Sequence, residues 1–132
     1  MQHVHSKYSR QQMNKLIIGF TMMTWLSACS DIFDGDYSGY QVRLLTPADS
    51  TVTSNSTIQL HWERIETATE YQLQVVQPKF ESIERIVKDT ITNSDVFVLN
   101  DLEKGKRYQW RIRAIGSNFV TKYSNSRTFI IQ

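Results

Sequence analysis

The chain has a single cysteine, Cys29, among its 132 residues, so no intrachain disulfide can brace its fold. A zinc site built on several cysteine or histidine ligands lacks its thiolates. Histidine is nearly as scarce. His3 and His5 precede Cys29 and only His61 follows it, so a Ser-His-Asp triad beyond Cys29 would have one candidate base. No apolar run reaches the ~20 residues that a membrane-spanning helix needs, and no segment keeps a helical period. A glycine-rich phosphate loop and an Arg-Gly-Asp tripeptide are both missing. Acidic residues are absent before Asp31, and this absence gives the first 28 residues a character of their own.

That opening stretch carries Lys7, Arg10 and Lys15, then the apolar run Leu16-Ile17-Ile18-Gly19-Phe20-Thr21-Met22-Met23-Thr24-Trp25-Leu26, and ends in Leu26-Ser27-Ala28-Cys29. A basic leader, a short apolar core and small residues before the cut are the layout of a secretory signal. With cysteine at the cut, the stretch resembles the lipobox of bacterial lipoproteins. The resemblance implies that residues 1–28 are removed, that Cys29 is diacylated on its thiol, and that the protein's first partner is a membrane, held through the N-terminal lipid. Residues 29–41, with Asp31, Asp34 and Asp36 among glycines and small polar residues, read as a tether. They also resemble the acidic segment that directs lipoproteins of one gram-negative phylum to the cell surface. Ser30 after the cysteine resembles the signal for the outer membrane. The implied location is the outer membrane of a gram-negative bacterium, surface-exposed where the acidic segment acts.

Loss of the leader reverses the charge. The chain carries 15 basic and 13 acidic residues, and removing Lys7, Arg10 and Lys15 leaves a formal −1. The pI of about 8.7 therefore belongs to the signal and argues against a nucleic-acid partner.

From residue 42 onward, short segments alternate between apolar and polar residues and are separated by turn residues, which is the pattern of strands. Strands are expected over 41–45, 57–62, 71–77, 83–89, 95–99, 107–115 and 127–131. Ile58, Leu60 and Trp62 share one face, as do Tyr71, Leu73 and Val75, and Phe97 and Leu99. Pro78 is expected to end the third strand, and 83–89 reads as an edge. The sharpest alternation sets Tyr108, Trp110, Ile112 and Ala114 against Arg107, Gln109, Arg111 and Arg113. Seven such strands in about 90 residues, with a turn every 8 to 12, predict an all-β, seven-stranded antiparallel sandwich. Its core closes around Trp62, Tyr71, Phe97, Tyr108, Trp110 and Phe129 without a disulfide.

Trp62, Tyr71 and the run Leu102-Glu103-Lys104-Gly105-Lys106-Arg107-Tyr108, continued by Trp110, resemble a fibronectin type III domain over 42–132. Lys104 stands where many members of that family have proline, which implies a looser turn. On physical grounds Leu102 plugs the base of the sandwich, Gly105 permits a tight turn, and Tyr108 buries its ring while its hydroxyl bonds to nearby backbone as a tyrosine corner.

The chemistry-bearing residues are few. Glu63, Glu66 and Glu70 flank a strand connection and read as solvated charges rather than a glycosidase pair. His61 reads as an outward strand residue. Asn55-Ser56-Thr57 fits a glycosylation acceptor, without meaning in a bacterial lipoprotein. Arg111 and Arg113 are placed to meet cross-strand acids such as Glu70 or Glu84. Together with Phe119 and Tyr123 they are the candidate binding residues, and the loops 46–56, 77–82 and 116–123 are expected to face away from the membrane. No catalytic group, cofactor or metal is implied. The reading is a non-enzymatic lipoprotein that binds a protein or glycan. The alternative is a structural subunit of an outer-membrane assembly or uptake complex, which would leave an apolar patch exposed on the isolated domain.

Each buried methylene contributes about 0.8 kcal/mol, so two or three acyl chains hold a protein on a membrane almost irreversibly. Cys29→Ala is expected to leave the protein soluble or unprocessed. Mass spectrometry of the mature amino terminus checks this, and an unmodified residue there would refute the lipobox.

Overall fold

The computed structural model describes Tyr37 and residues 39–132. The leader, Cys29 and the acidic residues of the tether lie outside the described residues. No helix occurs among the described residues, and none there is long and apolar enough to cross a membrane. The strands are β1 (Leu44–Thr46), β2 (Thr51–Thr53), β3 (Ile58–Trp62), β4 (Ala68–Lys79), β5 (Ser82–Thr92), β6 (Val96–Leu99), β7 (Arg107–Gly116) and β8 (Arg127–Ile131). They form two sheets, one ordered β1-β3-β6 and the other β2-β8-β7-β4-β5. The sandwich is all-β, as the alternation predicts.

Eight strands form, one more than the seven expected. The extra strand, β2, lies inside the stretch 46–56 that reads as loop. Thr51, Val52 and Thr53 pair in parallel with Phe129, Ile130 and Ile131. Three residues with an exposed Val52 show too little alternation to register as a strand, and only the neighbouring edge of β8 makes them one. Pro78 does not end β4 either. Pairing of β4 with β7 stops at Val76 opposite Gln109, so beyond that rung β4 bonds only to β5. Pro78 sits opposite Ile83 at a register shift, where its missing N–H is tolerated. The expected loop 77–82 is therefore a tight hairpin closing from Lys79 opposite Ser82. β5 is an edge strand, as its irregular alternation suggested, and its two register shifts against β4 kink the free edge as bulges do.

The core follows the alternation. Leu60, Trp62, Leu73, Val75, Trp110, Ile112, Ala114, Phe129 and Ile131 are fully buried. Trp62 lies 5.7 Å from Tyr71 and 6.4 Å from Trp110, ring centroid to centroid, in tilted pairs. Tyr108 stacks on Phe129 at 5.1 Å. The indole N–H groups of Trp62 and Trp110 have no protein acceptor, a cost of about 1–3 kcal/mol each. Burying ~200 Å² of ring contributes about 5 kcal/mol, so the rings remain net stabilising. Phe97 is only half-buried against this core, and the Lys88 ammonium lies 5.5 Å from its ring centroid at the open side of the sandwich.

The predicted corner is present. Leu102 is buried and donates its N–H to the Ser56 carbonyl at 3.0 Å. Gly105 adopts φ +77°, a conformation costly for any residue with a Cβ, and its N–H bonds the Ile131 carbonyl at 2.7 Å. The Tyr108 hydroxyl accepts the Glu103 N–H at 2.8 Å. A second tyrosine does the same elsewhere, the Tyr71 hydroxyl accepting the Ile65 N–H at 2.8 Å.

Strand directions give the sandwich two distinct ends. At one end lie the start of the described chain, the β3–β4 and β5–β6 turns, and the loop after Gly116, where Ala68 pairs Gly116 and Leu44 pairs Trp62. At the other lie the β4–β5 hairpin, the β2–β3 and β6–β7 loops, and the end of β8, tied by Gln132 N–H to Thr53 C=O at 2.8 Å.

Tyr108→Phe removes the acceptor of a part-buried N–H and is expected to cost about 1–3 kcal/mol. Urea melts of residues 36–132, which form one compact unit, measure the loss, and an unchanged midpoint would show that the corner carries no stability.

Candidate binding surface

Alternation places Gln72 and Gln74 of β4, and Arg111 and Arg113 of β7, on the outer face of the five-stranded sheet. Register then decides their partners. Gln72 sits opposite Arg113 and Gln74 opposite Arg111, while on the other side of β4 Gln74 faces Asp89 and Gln72 faces Ile91. Arg111 Nε donates to Gln74 Oε1 at 2.9 Å, and Arg113 Nε to Gln72 Oε1 at 2.8 Å. Both glutamine amides in turn donate to the Asp89 carboxylate, Gln72 Nε2 to Oδ1 at 3.0 Å and Gln74 Nε2 to Oδ2 at 3.2 Å. One carboxylate thus reaches two guanidiniums through two amides. The acids expected to pair with these arginines, Glu70 and Glu84, do not. Glu70 stands opposite Ile115, two rungs away from Arg113, and Glu84 falls at a register shift of β5.

Aromatic rings cover the same arginines. The Arg111 guanidinium carbon lies 4.1 Å from the Phe80 ring centroid and 4.3 Å from that of Tyr123, and the Arg113 carbon lies 4.7 Å from the Tyr123 centroid. Phe80, Arg111, Tyr123 and Arg113 form a stacked series from the hairpin tip to the middle of the sheet. Such contacts contribute about 0.5–1 kcal/mol each at exposed sites. The hairpin tip is locked in by Phe80 N–H donating to Gln109 Oε1 at 2.9 Å. The sequence pattern puts Phe80 in a turn and does not single it out as a binding residue. Only the hairpin geometry turns its ring onto Arg111.

Beside the stack, a recess of about 80 Å³ is lined by Gln74, Val76, Phe80, Ile83, Ile86, Asp89 and Arg111. Ile83, Ile86 and Ile91 are three of the exposed large apolar side chains, Ile86 the most exposed at 63%. A larger cleft of about 420 Å³ separates residues 41–44 from 124–127. Its wall is committed to structure, since Arg127 donates to the carbonyls of Leu44, Leu45 and Pro47 and so ties the edge of one sheet to the other.

The remaining candidates from the sequence are scattered. Phe119 is half-buried against the core and stacks on Tyr37 with centroids 4.1 Å apart. It lies at the opposite end from the hairpin, so of the loop 116–123 only Tyr123 shares a surface with the loop 77–82, through Arg111. His61 Nε2 stands 3.8 Å from Asp95 Oδ2, and Glu63, Glu66 and Glu70 are exposed. Among the described residues no three His, Cys, Asp or Glu side chains gather as metal ligands would.

Two facing sheets and a tyrosine corner define an immunoglobulin-like sandwich. The fibronectin type III family model matches residues 46–130, and the chain belongs to that family. The solved domains FN1–FN3 of chicken CNTN1 superpose with TM-score 0.54 at 15% identity, over 71% of this chain and 31% of that one, so this chain spans about a third of the neighbour's length. The fibronectin type III domain of the human collagen alpha-1(XX) chain superposes with TM-score 0.52 at 15% identity, over 74% of this chain and 92% of that one. At these identities the likeness is one of fold. No curated protein sequence matches the chain.

Arg111→Ala removes two ring contacts and the bond to Gln74, and is expected to destabilise the domain by about 1–3 kcal/mol although the residue is not in the core. Arg111→Lys, which lacks the planar fork, should recover only part of this. Thermal melts of the two variants check the order.

Proposed function

We propose that this is a non-enzymatic, lipid-anchored envelope protein of a gram-negative outer membrane, acting as a structural subunit of an assembly or uptake complex. Its docking surface is the outer face of the five-stranded sheet, and its partner is a protein. The observation that carries this reading is the apolar strip of Ile83 and Ile86 bordering the Arg111 stack, with Ile91 farther along the same strand. Exposed apolar side chains gathered on one strand, rimmed by polar and arginine groups, are the composition of a protein interface. A glycan platform needs a free aromatic face, and here the rings of Phe80 and Tyr123 are engaged by guanidiniums. The kinked edge of β5 opposes simple strand addition, so the face rather than the edge is the contact. Family membership agrees with a binding or structural role, and the scarcity of histidine and of convergent acids argues against catalysis.

Ile86→Asp changes a side chain that is 63% exposed, and is expected to leave the unfolding free energy within about 0.5 kcal/mol of wild type in urea melts. Crosslinking of the intact protein in cells should yield an envelope protein adduct that Ile86→Asp abolishes. An adduct indifferent to Ile86, or retention on a glycan array through Tyr123, would overturn the assignment of this face.

A further inference from the structure

The described chain begins with a contact. Tyr37 stacks on Phe119 at 4.1 Å with the rings 20° from parallel. Phe119 is itself fixed, because its ring occupies the space where a Cβ on residue 116 would fall, so only glycine fits there. Gly116 N–H bonds the Phe119 carbonyl at 2.9 Å. The segment behind Tyr37 is pinned as well. Tyr40 N–H bonds the Tyr37 carbonyl at 3.0 Å, Gln41 Nε2 bonds the Tyr123 carbonyl at 3.2 Å, and Val42 is buried. The chain is therefore held from Tyr37 onward, and it is held at one end of the sandwich.

We propose that Tyr37 is a clasp that orients the lipid-anchored domain, keeping the end with the β3–β4, β5–β6 and β7–β8 turns toward the membrane and the β4–β5 hairpin and β6–β7 loop away from it. The inference rests on the lipid-anchoring reading above. Fully extended, the stretch from Cys29 to Tyr37 reaches at most about 28 Å, so the Phe119 end stays within that distance of the headgroups. The opposite end lies about 30 Å farther along β7, from Gly116 to Arg107. The near end carries Glu63, Glu66, Glu70 and Asp95 around Arg64, which anionic headgroups repel, so the short reach of the tether and the Tyr37 contact, not charge, hold that end toward the membrane. The loop 116–123, expected from sequence to point outward, becomes the membrane-proximal loop. The Phe80 hairpin and the recess beside Ile86 are then presented to a partner beyond the membrane surface.

Cys29 is the only cysteine, and its thiol is consumed by the lipid, so one introduced cysteine gives one label. Ser117→Cys and Lys104→Cys, both at exposed positions, mark the two ends. Full-length lipidated protein carrying a donor dye at either site is placed in phosphatidylethanolamine–phosphatidylglycerol vesicles containing an acceptor-headgroup lipid. Energy transfer is expected to be several-fold more efficient from position 117 than from 104. Adding Tyr37→Ala, which leaves the chain held only from Gln41 and Val42 and so lengthens the free tether, should narrow the difference between the two efficiencies while the protein still floats with the vesicles. Protein that fails to float overturns the anchoring reading and this proposal with it. Protein that floats but transfers equally from both sites, or keeps its full asymmetry after Tyr37→Ala, overturns the clasp alone.

Discussion

The antiparallel register of β4 on β7 is the constraint on which the rest of the domain depends. These two strands pair continuously from Glu70 opposite Ile115 to Val76 opposite Gln109, and each rung divides its side chains between two environments. On one side, Tyr71, Leu73 and Val75 meet Ala114, Ile112 and Trp110 and are wholly removed from water. A slip of one residue would place arginines and glutamines in the core and the tryptophan outside. Burial of an unpaired charge costs several kcal/mol, so the register is held by the penalty for its alternatives as much as by its own contacts.

The same register builds the outer surface. Because Arg111 and Arg113 face Gln74 and Gln72 rather than acids, their Nε hydrogen bonds go to amides. The single carboxylate of Asp89 organises both amides from the far side of β4. The guanidinium planes, fixed at one edge by these bonds, become platforms for Phe80 and Tyr123. Planarity and a rigid fork are what arginine supplies here and lysine does not. The surface is thus preorganised, which lowers the ordering cost of binding.

Both ends of the domain are closed by hydroxyls and rings rather than by covalent bonds. Tyr71 and Tyr108 each place a hydroxyl on a loop N–H, at opposite ends of the sandwich, and Phe119 receives Tyr37. A sandwich without a disulfide leaves loop entropy unconstrained, and these contacts take up part of that task locally.

Much of this was legible in the chain. Alternation in 58–62, 71–75 and 107–114 determined which side chains enter the core, because period two admits only two faces. The run from Leu102 to Tyr108 determined the corner and the family. The leader and Cys29 determined the expected processing and anchoring, which lie in residues outside the described fold. Sequence could not determine partners across strands. Whether Arg113 meets Glu70 or Gln72 depends on a two-residue offset set by distant packing. β2 exists only because β8 offers it an edge. Phe80 stacks on Arg111 only because the hairpin closes in two residues, and Tyr37 engages Phe119 only because the glycine at 116 leaves room for the ring. Alternation is a local property of the backbone, readable residue by residue. Register, stacking and the choice of a free face are properties of chain segments far apart in sequence, and the tertiary structure alone decided them.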